Sequence, residues 1–109
     1  MKLLTAAVPC YNSAEYMHHA IDTLLSGGDC MEIIVVNDGS KDDTEKIGLE
    51  YQERYPDIVR VISQENGGHG EAVNTGLANA NGLYFKVLDS DDWVNEKALQ
   101  EVIAKLKEL

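Results

Sequence analysis

The sequence predicts one three-layer α/β domain, with helices on both faces of a mainly parallel sheet. Short apolar runs rich in β-branched residues alternate along the chain with segments whose apolar residues recur every three or four positions. The connections between them are short, which is typical of right-handed βαβ units. Because the first two apolar runs have no polar face, we expect their strands to be covered on both sides.

The first strand is predicted over residues 3–8, an apolar run that Pro9 ends. Asn12 and Glu15 have the spacing of a capping box, which predicts that the first helix begins there. The glycine pair at 27–28 ends this helix, since glycine readily adopts the left-handed conformation that follows a helix.

The second strand is predicted over residues 33–36, which are four consecutive β-branched residues. Ser40 and Asp43 predict the start of the second helix. Pro56 stops that helix, because proline cannot continue it. Residues 58–62 then form the third predicted strand.

A glycine-rich loop over residues 64–70 leads into the third helix, which the Asn-Gly pair at 81–82 ends. The apolar stripe of this helix comprises Ala72, Val73, Gly76, Leu77 and Ala80. Residues 83–88 form the fourth predicted strand. The apolar stripe of the last helix comprises Leu99, Val102, Ile103 and Leu106.

Composition limits the classes of function. The chain has 109 residues, enough for one domain, and a formal net charge of −10. So negative a surface repels nucleic acid and anionic lipid, and an anionic ligand would need a divalent cation beside it. Cys10 and Cys30 are too few for a disulfide framework, which indicates free thiols in a cytoplasmic protein. No apolar stretch approaches the ~20 residues of a membrane span.

Polar residues follow each of the predicted strands. In parallel sheets, ligands bind at the carboxyl ends of the strands, beside the point where the strand order reverses. Four segments are therefore expected to form one rim: residues 9–12, 37–40, 64–70 and 89–92.

The last of these segments is acidic. Asp89, Asp91 and Asp92 lie within four residues, where mutual repulsion is costly unless a cation or solvent relieves it. Carboxylate oxygens suit Mg²⁺ or Mn²⁺, which take one or two protein carboxylates together with ligand phosphates. The alternative is a helix start, where acidic side chains are also favoured; spacing alone leaves both open.

The other rim segments also allow two interpretations. Asp38 could accept a hydrogen bond from a nucleobase or ribose, or simply shape a turn. The loop over 66–70 permits close backbone approach to an anion but matches neither the dinucleotide fingerprint nor a P-loop. His69 could contact a phosphate or act as a base, or be an ordinary polar loop residue. Tyr11 could stack on a nucleobase, or cover the edge of the sheet.

Several segments occur together in a recognisable order along the chain. They are Val-Pro-Cys-Tyr-Asn-Ser-Ala-Glu at 8–15, Glu-Ile-Ile-Val-Val-Asn-Asp-Gly-Ser at 32–40, Asp-Thr at 43–44, Asn-Gly-Gly at 66–68, Ala-Val-Asn-Thr-Gly at 72–76, and Asn-Gly at 81–82 through Leu-Asp-Ser-Asp-Asp-Trp at 88–93. Over the whole chain this order resembles the family 2 glycosyltransferases of the GT-A fold.

The resemblance implies an enzyme of polysaccharide biosynthesis that transfers a sugar from a nucleotide-diphosphate donor, a UDP-sugar above all, to a sugar-containing acceptor. It implies a Mn²⁺ or Mg²⁺ cofactor held at an Asp-x-Asp motif, with Asp91 as the direct ligand, Asp89 as its partner and Asp92 in reserve. The residues implied to bind the nucleotide-sugar are Pro9, Tyr11, Asn12, Glu15, Asp38, Gly68, Gly70, Asn74, Asp89 and Ser90.

The chain departs from the family pattern in three ways. Asn37 stands where many relatives have aspartate, and Val73 stands where many have arginine. Family domains are also about twice this length, so residues 1–109 are expected to be the donor-binding portion. The general base is then expected beyond Leu109, and these residues alone are expected to bind donor without transferring sugar. A homodimer, and a place at the inner membrane face for the full-length protein, are further expectations.

Two other functions would use similar features. A non-catalytic nucleotide-binding module would use the same rim without chemistry, and a turnover assay distinguishes the two. A receiver-like signalling domain would need a pair of acidic residues after the first strand, where this chain has Pro-Cys-Tyr-Asn at 9–12.

Overall fold

The computed structural model describes residues 2–109, in which strands and helices alternate as the sequence predicts. A short 3₁₀ helix, Gly28–Cys30, precedes the second strand. The elements are β1 (Leu4–Cys10), α1 (Met17–Leu25), β2 (Met31–Asp38), α2 (Thr44–Arg54), β3 (Val59–Gln64), α3 (His69–Ala78), β4 (Tyr84–Val87) and α4 (Glu96–Glu108).

The four strands form one parallel sheet in the order β3-β2-β1-β4. The chain first adds strands on one side of β1 and then crosses to the other side, so the order reverses between β1 and β4. The register places Cys10 beside Asn37 and Asp38 beside Gln64. The polar segments after β1, β2 and β3 therefore meet at one end of the sheet, as predicted.

The two faces of the sheet carry unequal numbers of helices. The larger core joins α1, α2 and α4 to one face, with Met17, Ile21 and Leu24 fully buried. The opposite face packs Ile34 and Val36 against α3. Every residue of β1 and β2 is buried, which confirms that both strands are covered on both sides. No helix within residues 2–109 combines the length and apolar character that crossing a bilayer requires.

The predicted capping box is wrong. α1 begins at Met17, and neither Asn12 nor Glu15 caps it. Asn12 instead adopts a positive φ of 49°, and its side-chain oxygen accepts from the Lys41 backbone N–H at 2.8 Å. A local spacing rule missed this contact because its partner lies 29 residues away along the chain.

Other helix boundaries also differ from the sequence prediction. α2 begins at Thr44, directly after the predicted Asp43, but the side chain that accepts from the Thr44 N–H, at 3.0 Å, is that of Asp42. α3 ends at Ala78, before the predicted stop at 81–82. In the predicted apolar stripes, Leu77 of α3 and Val102 of α4 are exposed, because only part of each helix meets the sheet or α1.

At the amino end of the sheet, a closed polar cluster surrounds the buried carboxylate of Glu32. Thr5 Oγ1 and the Asn81 backbone N–H both donate to Oε1 at 2.8 Å, and Asn81 Nδ2 donates to Oε2 at 2.8 Å. Gly82 N–H donates to Thr5 Oγ1, at a point where a side chain would lie 2.7 Å from the Thr5 backbone nitrogen. The Asn-Gly pair at 81–82 is therefore a structural anchor of the α3–β4 connection.

Candidate functional site

Two adjoining cavities lie at the carboxyl end of the sheet. The inner cavity, about 360 Å³, is lined by Pro9, Cys10, Tyr11, Asp38, Asn66, Gly68, His69 and Ala72. The outer cavity, about 300 Å³, is lined by Pro9, Tyr11, Asn12, Ser13, Tyr16, His69, Asp89, Ser90 and Asp91. Because Pro9, Tyr11 and His69 line both, the two cavities form one cleft, and it lies beside the point where the strand order reverses.

The loop after β1 is fastened to the loop after β2. Asn12 N–H donates to Ser40 Oγ at 2.9 Å, and Ser13 N–H donates to Thr44 Oγ1 at 2.8 Å. Together with the bond from Lys41 to Asn12, these contacts fix the backbone on both sides of the cleft wall. They hold Tyr11, whose side chain is 52% exposed, over the cleft with its ring available to a ligand.

Ser13 connects this loop to the acidic segment. Its hydroxyl accepts from the Tyr11 N–H at 3.1 Å and lies 2.6 Å from the Ser90 hydroxyl. The residues after β1 and those after β4 are far apart in sequence but share this contact. Ser13 is therefore a structural part of the site that the sequence prediction left out.

Asp38 ends β2 and holds the glycine-rich loop. Its Oδ1 accepts from Gln64 Nε2 at 3.0 Å and from the Gly67 N–H at 2.9 Å, while Oδ2 accepts from the Gly68 N–H at 2.9 Å. Burial alone would raise the pKa of Asp38, but these three hydrogen bonds outweigh it and the pKa lies below its ordinary value. Asp38 is thus an ionised acceptor whose carboxylate shapes the loop and also borders the inner cavity.

Close backbone packing lets this loop approach β2. Gly39 has φ of 72°, and a side chain there would lie 2.7 Å from the Asn66 backbone nitrogen. Gly68 has φ of 94°, which a residue with a side chain rarely adopts. These two glycines therefore place the loop against the end of β2 and let α3 begin immediately at His69.

The acidic segment is fixed at both of its ends. Asp89 Oδ1 lies 2.7 Å from His69 Nε2, and the Asp92 N–H donates to the Asp89 carbonyl at 2.9 Å. Trp93 stacks on His19 of α1 with ring centroids 4.7 Å apart. Asp91 is exposed and faces the outer cavity between these anchors.

The acidic segment suits a metal only with further ligands. Within residues 2–109, no group of three His, Cys, Asp or Glu side chains is arranged to hold an ion. Mg²⁺ and Mn²⁺ nevertheless use one or two carboxylates and complete their coordination with water and phosphate oxygens. Asp89 and Asp91 both line the outer cavity, so the residues present fit an ion that arrives with a phosphate-bearing ligand.

Cys10 lines the inner cavity, but its thiol is a poor nucleophile. Burial raises the pKa of its thiol to about 12, so almost no thiolate exists near neutral pH. Cys10 and Cys30 are both free thiols, as the cysteine count predicts. A nucleophilic role for Cys10 therefore has no support in this geometry.

The cleft brings together most of the residues predicted to form a site. Those that line it are Pro9, Tyr11, Asn12, Asp38, Gly68, Asp89, Ser90 and Asp91. Glu15, Gly70, Asn74 and Asp92 are exposed and lie outside the two linings, and their roles stay predictions. The sequence prediction did not include the lining residues Ser13, Tyr16, Asn66 and Ala72; for Asn66, its place before two glycines was an available signal.

Known proteins with similar sequences are glycosyltransferases. The chain is 42% identical over 108 residues to the "Uncharacterized glycosyltransferase RP339" of Rickettsia prowazekii, covering 98% of this chain and 33% of that protein. The chain thus spans about a third of the length of this curated relative.

Solved structures with the same fold are also glycosyltransferases. The S. aureus TarS 1-349 structure in complex with UDP superposes with a TM-score of 0.83 at 31% identity, over 99% of this chain and 32% of that one. The mannosyltransferase PcManGT from Pyrobaculum calidifontis, in complex with GDP-Man and Mn²⁺, gives a TM-score of 0.78 at 26% identity, over 92% of this chain and 31% of that one.

The fold is accordingly the GT-A fold that the sequence resemblance implies. Residues 5–109 match the model of the family described as "Glycosyl transferase family 2". The ordered segments along the chain, the parallel sheet and the position of the cleft agree with that match, and the chain belongs to glycosyl transferase family 2.

Proposed function

We propose that this chain binds the nucleotide diphosphate part of a UDP-sugar in the cleft, with a divalent cation, as the donor-binding portion of a glycosyltransferase. The observation that carries the proposal is the junction of the two cavities. A mainly apolar inner cavity, floored by strand ends, opens directly into an outer cavity that contains Asp89 and Asp91. A ligand with an aromatic base at one end and a diphosphate at the other matches this division.

The inner cavity is proposed to hold the nucleoside. Its volume of about 360 Å³ lies within the range of small-molecule sites. Tyr11 presents an exposed aromatic ring on which a base could stack. Asp38 supplies an ionised carboxylate. Its Oδ1 already accepts two hydrogen bonds, but Oδ2 accepts one and has a second lone pair, which can accept from a base N–H or a ribose hydroxyl.

The outer cavity is proposed to hold the diphosphate and the cation. Neither lysine nor arginine is among the described residues that line the cleft, and the chain carries a net charge of −10. A diphosphate beside Asp89 and Asp91 therefore needs a cation between the negative groups. Bound there, Mn²⁺ or Mg²⁺ would neutralise the diphosphate that leaves during sugar transfer.

Uridine is the proposed nucleoside because the TarS structure, at 31% identity, was solved with UDP, whereas the GDP-Man complex belongs to a protein at 26% identity. The acceptor is proposed to be a sugar-containing molecule. Transfer needs a base aimed at the acceptor hydroxyl, and we propose that the whole protein supplies it. A turnover assay of the full-length protein with UDP-sugars distinguishes this enzyme from a non-catalytic nucleotide-binding module.

Calorimetric titration of the chain with UDP, with Mn²⁺ present and then with a chelator, tests the proposal. We expect binding with Mn²⁺ and little binding without it. Asp91→Asn should weaken Mn²⁺-dependent UDP binding by about 10-fold or more, because the outer cavity loses a charged ligand. Asp57→Asn is the matched control: it removes the same charge from an exposed residue in the connection that enters β3, at the opposite end of the sheet from the cleft, and should change affinity less than about 2-fold. Equal UDP binding in chelator would contradict the metal role.

A further inference from the structure

His69 occupies an unusual place in the cleft, because it borders both cavities and also contacts the acidic segment. Its Nε2 lies 2.7 Å from Asp89 Oδ1. The two residues are 20 positions apart, on the first turn of α3 and just after β4. Among the described lining residues, His69 has the one basic side chain.

The chemistry of this contact fixes the direction of the hydrogen bond. An ionised carboxylate can only accept, so Nε2 of His69 must carry the hydrogen and donate it to Asp89. One oxygen of Asp89 is then occupied by the imidazole, and Oδ2 accepts no hydrogen bond from residues 2–109. The contact therefore restricts rotation of the carboxylate and leaves a defined oxygen for a ligand.

The backbone of His69 is itself held from the other end of the cleft. Gly67 and Gly68, which immediately precede it, donate their N–H groups to Asp38 at 2.9 Å. The Ala72 N–H donates to the Gly68 carbonyl at 3.1 Å, which closes the first turn of α3 behind the imidazole. His69 is therefore an exposed side chain on a fixed backbone, a suitable support for a second side chain.

We propose that His69 is a positioning residue for Asp89: its imidazole holds the carboxylate in the orientation in which it meets the cation and diphosphate. This inference rests on the proposed function, and it adds a role for a residue outside the Asp-x-Asp motif. Both side chains are more than half exposed, so the contact contributes modestly by itself. Its effect is to restrict Asp89 before the ligand arrives.

The test uses UDP with saturating Mn²⁺ and, separately, uridine, both titrated into the folded chain. His69→Ala should weaken Mn²⁺-dependent UDP binding by about 3- to 10-fold, the effect of one lost hydrogen bond of ordinary strength at an exposed site. Uridine affinity should fall less than UDP affinity, because uridine carries no diphosphate and meets His69 only where it lines the inner cavity. His69→Gln should retain most of the UDP affinity, since the glutamine amide can donate from a similar position. Glu71→Ala, on the same turn of α3 but outside the lining, is the matched control.

A double-mutant cycle decides whether His69 acts through Asp89. In an Asp89→Ala background, His69→Ala should cause no further loss of UDP affinity. Four results would each overturn the inference while the proposed function stands. They are additive losses in the cycle, equal losses for uridine and UDP, a glutamine variant that binds UDP as weakly as the alanine variant, and an unchanged or higher UDP affinity in His69→Ala. Absence of UDP binding to the unmodified chain would overturn the proposed function and this inference together.

Discussion

Glu32 and Asp38 stand at opposite ends of β2, and the same chemistry serves different purposes at the two ends. Because side chains alternate along a strand, Glu32, Ile34, Val36 and Asp38 all face α3. Glu32 binds the connection that leaves α3 at Asn81, and Asp38 binds the loop that enters α3. The two carboxylates thus hold both ends of one helix against the sheet.

The two carboxylates differ in their surroundings, because only one of them borders a cavity. Three close hydrogen bonds surround Glu32, with Arg60 3.9 Å away, and it lines none of the cleft. Asp38 accepts the same number of hydrogen bonds but borders the inner cavity. At both ends of β2, the lowered pKa of a buried carboxylate reflects its hydrogen bonds within the protein. Only Asp38 also borders a cavity, and this makes Asp38 the candidate for ligand binding.

The largest effect is expected from Glu32→Ala. It leaves the Asn81 N–H groups and the Thr5 hydroxyl without their acceptor, so the free energy of unfolding should fall by about 2–4 kcal/mol. Urea unfolding measures this loss. Glu50→Ala, on the exposed side of α2, is the control and should change stability by less than about 0.5 kcal/mol. A loss in Glu32→Ala no larger than in the control would mean that the cluster around Glu32 does not hold the α3–β4 connection.

Asp38→Ala should act on binding as well as on stability. Uridine affinity should fall about 10-fold, because the nucleoside loses an acceptor. UDP affinity should fall by at least that factor, because releasing Gly67 and Gly68 also loosens the backbone that carries His69. Glu32→Gln, at the other end of β2, should leave both affinities unchanged in the folded protein. A loss confined to UDP would assign Asp38 to the metal end of the cleft and contradict its proposed role.

The smallest effect concerns pH. For Glu32 and Asp38 alike, burial raises the pKa, but hydrogen bonds outweigh it, so both values lie below the ordinary 4.5 and 3.8. The unfolded chain then binds these protons more readily, so the stabilisation is complete above the ordinary values and is lost as the pH falls through them to the lower values of the folded state. Stability from urea unfolding should therefore decline from about pH 5 downward. The decline should be shallower in Glu32→Gln, and an equally steep decline there would show that Glu32 contributes nothing to it.

Much of the fold was predictable because it depends on patterns that are local in the sequence. The apolar run of β1 and the β-branched run of β2 predict buried strands whatever surrounds them. Helix boundaries were less predictable. Asn12 and Glu15 match a capping box in spacing, yet the Asn12 side chain accepts from the Lys41 N–H across two loops, a contact that no local spacing rule includes.

The candidate site was predictable as a set of segments and less so as a set of contacts. The rule that polar residues after parallel strands meet at one edge correctly brings together Tyr11, Asp38 and Asp89. The contact between Ser13 and Ser90 and that between His69 and Asp89 join residues 77 and 20 positions apart. Spacing carries no information about such pairs.

The sequence by itself therefore determined the order of elements, the parallel sheet, the rim segments and the family, because each follows from periodicity or from motifs in a fixed order. Only the tertiary structure decided which acidic residue holds a helix end and which also borders the cleft. It also decided that Asn81 binds Glu32 and that His69 meets Asp89. The physical reason is that hydrogen-bond partners are chosen by proximity in space, and on this sheet the strand order brings the first and last segments of the chain together.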